Sequence, residues 1–275
     1  MFSFLNSIYN YYTKSNYSYG WKLGSKWKEC ISKKEINNIY YKEFIYYGNY
    51  NNIKYIDLRN RCPPVYDQGK LGSCTANALA FGYEYTELVQ NINNKFIPSR
   101  LFIYYNERDI EHTTNKDSGA ELFDGIFTLS LLGVCPEKNW EYNISNFTIK
   151  PNKECYNIAL NHTINNYYAI QQHIEQIKSC LILGFPVIFG FIVYQSFESE
   201  EVAKTGIMTM PKENDIIIGG HAVAAVGFDD KKKYFIIRNS WGDKWGDKGY
   251  FYMPYEYILD NKLCSDFWCI IHSTN

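Results

Sequence analysis

An α+β fold of two lobes with a cleft between them is what the sequence predicts, on two observations. Before Gly184 the apolar residues recur at helical spacing; after it they gather in short runs bounded by turn residues. Helices followed by strands favour distinct helical and β regions, and a groove between two such regions is a preferred place for a substrate. The chain has 275 residues, 46% hydrophobic and 18% aromatic, which is enough to fill one large domain or two small lobes.

The elements follow in order. Residues 1 to about 55 are rich in Tyr, Asn and Lys, with Tyr40-Tyr41 and Tyr46-Tyr47 among polar residues. No apolar stripe there is long enough for a separate domain. This stretch fits either a loosely packed extension or a short propeptide that covers a groove. Asp57-Leu58-Arg59 opens the compact part, and Pro63-Pro64 and Gly69 mark a loop. Ala76, Leu79, Ala80 and Tyr83 predict a helix over 75–88, with Ser73 as its N-cap. Further helices are expected over 99–108, over 121–132 with Gly133 as a stop, and over 166–183 before Gly184. Residues 186–193, 222–226, 234–238, 249–253 and 267–272 read as strands.

Charge and motifs narrow the function classes. With 28 basic and 29 acidic residues the net charge is −1, so nothing electrostatic points to nucleic acid. A phosphate-cradling G-x-x-x-x-G-K-[ST] loop is missing. No apolar run approaches the roughly 20 residues that span a bilayer. Met1 to Leu5 is apolar, but Asn6, Ser7 and Asn10 interrupt it, which makes a poor signal peptide. We therefore expect no membrane partner, and a compartment open between lysosome-like, virion and cytoplasmic. No cofactor is called for. The bias toward Asn, Ile, Lys and Tyr suits AT-rich coding, as in a virus, and it makes the N-x-[ST] sequons at Asn16, Asn143, Asn146 and Asn161 weak signals.

Eight cysteines are scattered without paired C-x-x-C spacing, so a structural zinc site is not expected. Cys264, Cys269 and His272 could in principle bind metal but lack a fourth ligand; buried thiols or one disulfide are the simpler reading.

The chemistry concentrates in three segments. The first runs from Tyr66 through Gln68, Gly69, Gly72, Ser73 and Cys74 to Ala76. It places a cysteine at the start of a helix, where the positive helix end and unpaired N–H groups favour thiolate, the nucleophilic form. Gly69 and Gly72 let the loop approach a ligand backbone closely. A buried structural cysteine at a tight turn would look the same in isolation. The second segment, Gly219-Gly220-His221-Ala222-Val223, puts a histidine at the entrance to an apolar strand. The third holds Arg238-Asn239-Ser240-Trp241-Gly242, then Trp245-Gly246 and Gly249-Tyr250-Phe251. Each alone could be packing; the three in this order are not easily explained so.

In these segments the chain resembles the papain and cathepsin family of cysteine proteases. His221 follows Cys74 by 147 positions, within the roughly 130–150 typical of that family. Asn239 follows by 165, and the loop over 229–233 accounts for the excess. Weaker similarity lies at Gly133-Val134-Cys135-Pro136-Glu137 and Phe185-Pro186-Val187, and the resemblance covers about residues 57–260. It implies a papain-like fold, with a helical lobe over about 56–165, a β-barrel-like lobe over about 166–275, and the active-site cleft between.

The resemblance also implies roles. Cys74 is the nucleophile, His221 the base and acid, and Asn239 the residue that orients the imidazole. Trp241 shields that pair, and the Gln68 amide joins the Cys74 N–H in an oxyanion hole. Gly72, Ser73, Gly119, Gly220 and Trp241 are the expected substrate-binding positions. The substrates implied are peptides or proteins, with the chain's own N-terminal segment as a possible inhibitor. Three departures stand out. Leu71 and Thr75 replace the family's frequent cysteine and tryptophan, so its usual disulfide at position 71 is missing. Asp117-Ser118-Gly119-Ala120 stands where a Gly-Gly turn is expected. No adjacent His-His pair marks an exopeptidase loop, and His112 stands alone, which favours an endopeptidase. A catalytically silent binding protein and a peptide ligase or other acyl transferase are the alternatives.

Overall fold

The computed structural model describes residues 17–23, 35–36, 39–40, 42–43, 52–90 and 95–273. Most of the N-terminal stretch, with Cys30, Asn16, Tyr41 and Tyr46-Tyr47, lies outside them.

The organising element is helix α1, Cys74–Val89, with Cys74 through Glu87 all buried. A helix apolar on only one face could not be buried all round; this one is rich in Ala and aromatic residues and passes through the middle of the core. On one side it packs against α2 (Arg100–Ile110) and α3 (Leu122–Leu131). Close approach to α3 depends on Gly125, where a Cβ would lie 2.1 Å from Leu79 Cδ1 and 2.4 Å from Glu107 Oε1. Ser99 caps α2, its hydroxyl accepting the Phe102 N–H at 3.1 Å. Gly133, at φ +70°, follows the end of α3 as expected of a C-terminal stop.

On its other side α1 meets a mixed sheet. The strands are β1 (Tyr55–Asp57), β2 (Ile164–Ala169), β3 (Val187–Tyr194), β4 (Ile217–Asp229), β5 (Tyr234–Arg238), β6 (Tyr250–Pro254) and β7 (Cys264–Ser273). Their order is β2-β7-β3-β4-β5-β6, with β1 on β4 and the two-residue strand Lys42–Glu43 parallel to β2 at the edge. The two edges do not meet, so the sheet is not closed, and the expected β-barrel-like lobe is an open sheet of mostly antiparallel strands. Short helices α4 (Lys153–Ala159), α5 (Ile174–Ile182), α6 (Glu200–Thr205) and α7 (Tyr255–Leu259) fill the connections.

The helix expected over 166–183 divides in two. Ile164–Ala169 is strand, with Tyr167 opposite Ile270, Tyr168 opposite Cys269 and Ala169 opposite Trp268, and only Ile174–Ile182 is helix. The consecutive tyrosines have strand preference, and partner β7 was too distant in sequence to register. The Ser73 cap also differs: Ser73 holds the N-cap position, but its hydroxyl bonds Tyr142 and Asn77 instead of the helix N–H groups.

The described cysteines, Cys62, Cys74, Cys135, Cys155, Cys180, Cys264 and Cys269, are free thiols. Cys269 lies beside Cys180, and no group of metal ligands exists among the described residues. No helix among them is long and apolar enough to cross a membrane.

Candidate active site

Cys74 is the first residue of α1 and is fully buried. Its thiol lies against the backbone amides of Ala222, Gly20 and Thr75. Ala222 is the residue after His221 in β4, so the strand that carries the imidazole also touches the sulfur. His221 Nε2 bonds Asn239 Oδ1 at 2.8 Å, and the same oxygen accepts the Ser240 N–H at 2.8 Å. An amide oxygen only accepts, so Nε2 carries the ring proton and Nδ1 keeps a free lone pair. Nδ1 is buried and has no hydrogen-bond partner. Trp241 stacks on the ring, centroids 4.9 Å apart, and excludes water from the His221–Asn239 bond.

Gln68 reaches the same place from the loop before α1. That loop is clipped to the Trp241 loop by Gln68 N–H to Ser240 O at 2.9 Å and Gly242 N–H to Tyr66 O at 2.9 Å. Ser240 Oγ donates to Gln68 Oε1 at 2.6 Å, which leaves Nε2 as the outward donor. Nε2 donates to Leu71 O at 3.0 Å and Ser18 O at 3.1 Å.

Ser18 belongs to residues 17–23, which thread the cleft. Tyr17 stacks on Trp241 at 3.8 Å, and Tyr19 stands edge-on to His221 at 6.0 Å. The Tyr19 hydroxyl bonds Glu198. Gly20 O accepts the Ala120 N–H at 2.7 Å, Lys22 N–H donates to Ala120 O at 3.0 Å, and Trp21 N–H donates to Gly220 O at 3.0 Å. Lys22 pairs with Glu111. Gly20 sits where only a bare backbone fits: a Cβ there would lie 1.6 Å from Gly72 O, and one on Gly119 would lie 1.8 Å from Gly20 O.

Of the expected substrate-binding positions, Gly72, Gly119, Gly220 and Trp241 all touch this segment, whereas the Ser73 side chain turns into the interior. Sequence reasoning missed Asp117, which accepts the Gly72 N–H at 3.1 Å and the Tyr104 hydroxyl at 2.5 Å. It also missed the Tyr17–Trp21 contacts; alternating aromatic residues were the available signal. Gly190, a lone glycine within an apolar strand, was another.

The dry cleft sets the protonation states. Burial pushes the Cys74 thiol up to about 12, with the Glu107 carboxylate opposing ionisation and backbone amides only partly compensating. Burial likewise lowers His221 to about 4, against the opposing bond from Asn239. With the segment in place, burial disfavours the charged form of both groups.

Residues 51–265 match the model of the papain family cysteine proteases. The chain belongs to the papain family. It is 50% identical over 217 residues to a peptidase C1-like protein of Acanthamoeba polyphaga mimivirus, covering 76% of this chain and 70% of that one. It is 26% identical over 208 residues to cysteine proteinase 2 of Entamoeba histolytica, 73% of this chain and 61% of the relative. Among solved structures, xylellain, a cysteine protease from Xylella fastidiosa, superposes with a TM-score of 0.80 at 40% identity, covering 95% and 97% of the two chains. The procathepsin B of Trypanosoma congolense shares the fold, with a TM-score of 0.66 over 86% and 80% of the chains at 15% identity. The papain-like fold and the cysteine-protease class of this chain follow.

Proposed function

We propose that this papain-family protein hydrolyses internal peptide bonds through Cys74, His221 and Asn239, and that residues 17–23 inhibit it by filling the cleft. One observation carries the catalytic reading: the Asn239 bond to Nε2 leaves His221 Nδ1 as a buried, unpartnered acceptor on the strand that meets the Cys74 sulfur. His221 takes the thiol proton, and the thiolate adds to the scissile carbonyl. The imidazolium returns the proton to the leaving amine, and the C–N bond breaks to leave a thioester on Cys74. Water, deprotonated by His221, then releases the acid and restores the thiol. Gln68 Nε2 stabilises the oxyanion that forms in each half-reaction. The missing His-His pair supports endopeptidase rather than exopeptidase action.

Inhibition follows from the same contacts. Ser18 O occupies the Gln68 donor, Gly20 lies on the sulfur, and the excluded water leaves thiol and imidazole neutral. Opening the cleft rehydrates both groups and allows the ion pair.

A thiol-directed epoxide should label Cys74, and Cys74→Ala should lose both labelling and peptide cleavage; cleavage retained in that variant ends the mechanism. Tyr19→Ala in the full chain should raise the labelling rate by about tenfold, because it removes the Glu198 bond and the packing on His221. An unchanged rate would discard the inhibitory role.

A further inference from the structure

A carboxylate grips one peptide group in the loop that carries Gln68. Asp117 Oδ1 and Oδ2 each lie 3.1 Å from the Gly72 nitrogen and accept its N–H. That N–H belongs to the peptide joining Leu71 to Gly72. The carbonyl of the same peptide, Leu71 O, accepts one N–H of Gln68 Nε2 at 3.0 Å. One planar group is therefore held at both ends, by Asp117 on its N–H and by Gln68 on its C=O. Leu71 O also accepts the Ser73 N–H at 2.8 Å, which puts Gly72 at the centre of a tight turn leading into Cys74. A Cβ on Gly72 would lie 3.0 Å from Asp117 Oδ1, so bare backbone is what the carboxylate approaches.

The carboxylate is itself anchored to α2. Tyr104, fully buried, donates its hydroxyl to Asp117 Oδ1 at 2.5 Å and accepts the Gly119 N–H at 3.1 Å. Burial and the Asp117 charge push that phenol well above its ordinary value, so it stays a donor. Arg108, also fully buried, lies over the Tyr104 ring, 4.1 Å from its centre. It donates to Thr114 O at 2.8 Å and to Lys116 O at 2.9 Å, which pins the turn just before Asp117. Two buried side chains of α2 thus hold a surface turn so that its carboxylate meets one amide.

That amide governs the Gln68 side chain. The Ser240 hydroxyl fixes Gln68 Oε1 at 2.6 Å, and Leu71 O fixes one N–H of Nε2. The second N–H is the one that meets Ser18 O in the cleft at 3.1 Å. A peptide whose N–H is bonded to a carboxylate is a stronger acceptor at its carbonyl. Leu71 offers no sulfur for a cross-link, so hydrogen bonds hold the loop at this point.

We propose that Asp117 is a positioning residue for the reaction: held by Tyr104, it fixes the Leu71–Gly72 peptide and so aims the second Gln68 N–H at the oxyanion. Asp117 acts through this peptide, not on the reacting atoms. The proposal rests on the proteolytic reading for its effect on turnover, but not for its effect on the loop.

The test uses the full chain with Tyr19→Ala, the variant expected to open the cleft, as parent. Hydrolysis of a fluorogenic peptide gives kcat and KM, and hydrogen exchange reads the protection of the Gly72 amide. Asp117→Ala should lower kcat about tenfold, leave KM within about twofold, and speed Gly72 exchange about tenfold. Asp117→Asn keeps an oxygen that can accept from both Gly72 and Tyr104, so it should hold kcat and exchange within about threefold of the parent. In a Gln68→Ala background, Asp117→Ala should lower kcat by less than about twofold, because the donor it aims is gone. A merely structural role would lower it there as much as in the parent. If Asp117→Ala does not fold, Tyr104→Phe, which keeps the ring and frees the carboxylate, should lower kcat about threefold with Gln68 present and leave it unchanged without Gln68. The proposal is overturned if Gly72 exchange does not respond, if the loss falls on KM alone, or if it persists in full without Gln68. A parent that cleaves no peptide while Gly72 exchange still responds would sink the proteolytic reading instead and leave the Asp117 clip standing.

Discussion

Asn239 holds His221 through an oxygen already fixed by the Ser240 N–H, so the imidazole meets a pre-set acceptor instead of a rotating amide. Asn239→Ala removes that acceptor while Trp241 still stacks on the ring. It should lower kcat/KM about 10- to 100-fold, the range for loss of a buried hydrogen bond; a steady-state assay showing no change would discard the orienting role. Gln68→Ala should cost more, about 10²–10³ in kcat, with KM little altered, and an effect confined to KM would place Gln68 in binding only. Cys74, His221, Asn239 and Gln68 could be singled out because the chemistry proposed for them needs particular residue types within short windows. The part played by Asp117 had no such signal: it arises only when folding brings its carboxylate to the Gly72 amide.

Among the elements, α1 carries Cys74, the proposed nucleophile, and its seating depends on how closely α2 and α3 approach. Gly125 marks the tightest point. Gly125→Ala adds a methyl that must displace Leu79 or Glu107, and overpacking of this kind typically costs about 1–3 kcal/mol. The melting temperature should fall by several degrees, and an unchanged value in differential scanning fluorimetry would show that the helices can separate without penalty. Helix α1 was readable because its apolar residues keep helical spacing. Strand β2 was not: it is specified by pairing with β7 about a hundred residues later, which no local period encodes.

For the whole molecule, the α+β character could be read from the change in pattern at Gly184, but the sheet's open edge could not, since closure depends on strands that are remote in sequence. Burial on this scale also ties stability to pH. Asp266 has an ordinary value of 3.8 and is raised to about 7 in the fold. Between those values the folded chain keeps a proton that the unfolded chain has released. Its contribution is therefore full below pH 3.8 and is lost as pH rises to about 7. Asp266→Asn removes this dependence, so the variant should gain thermal stability relative to wild type at pH 8 compared with pH 4. Melting curves at the two pH values check it; equal differences would mean that Asp266 is not held protonated.

Gly20 has one more consequence. Three uncovered backbones, at residues 20, 72 and 119, touch where the segment crosses the sulfur. On the inhibition proposed above, repression would hinge on a missing methyl group. Gly20→Ala, a change available to a single nucleotide, would then release the proposed activity with Cys74, His221 and Asn239 untouched. A culture producing that variant should suffer proteolytic damage that the parent sequence spares, and adding Cys74→Ala to it should abolish the toxicity.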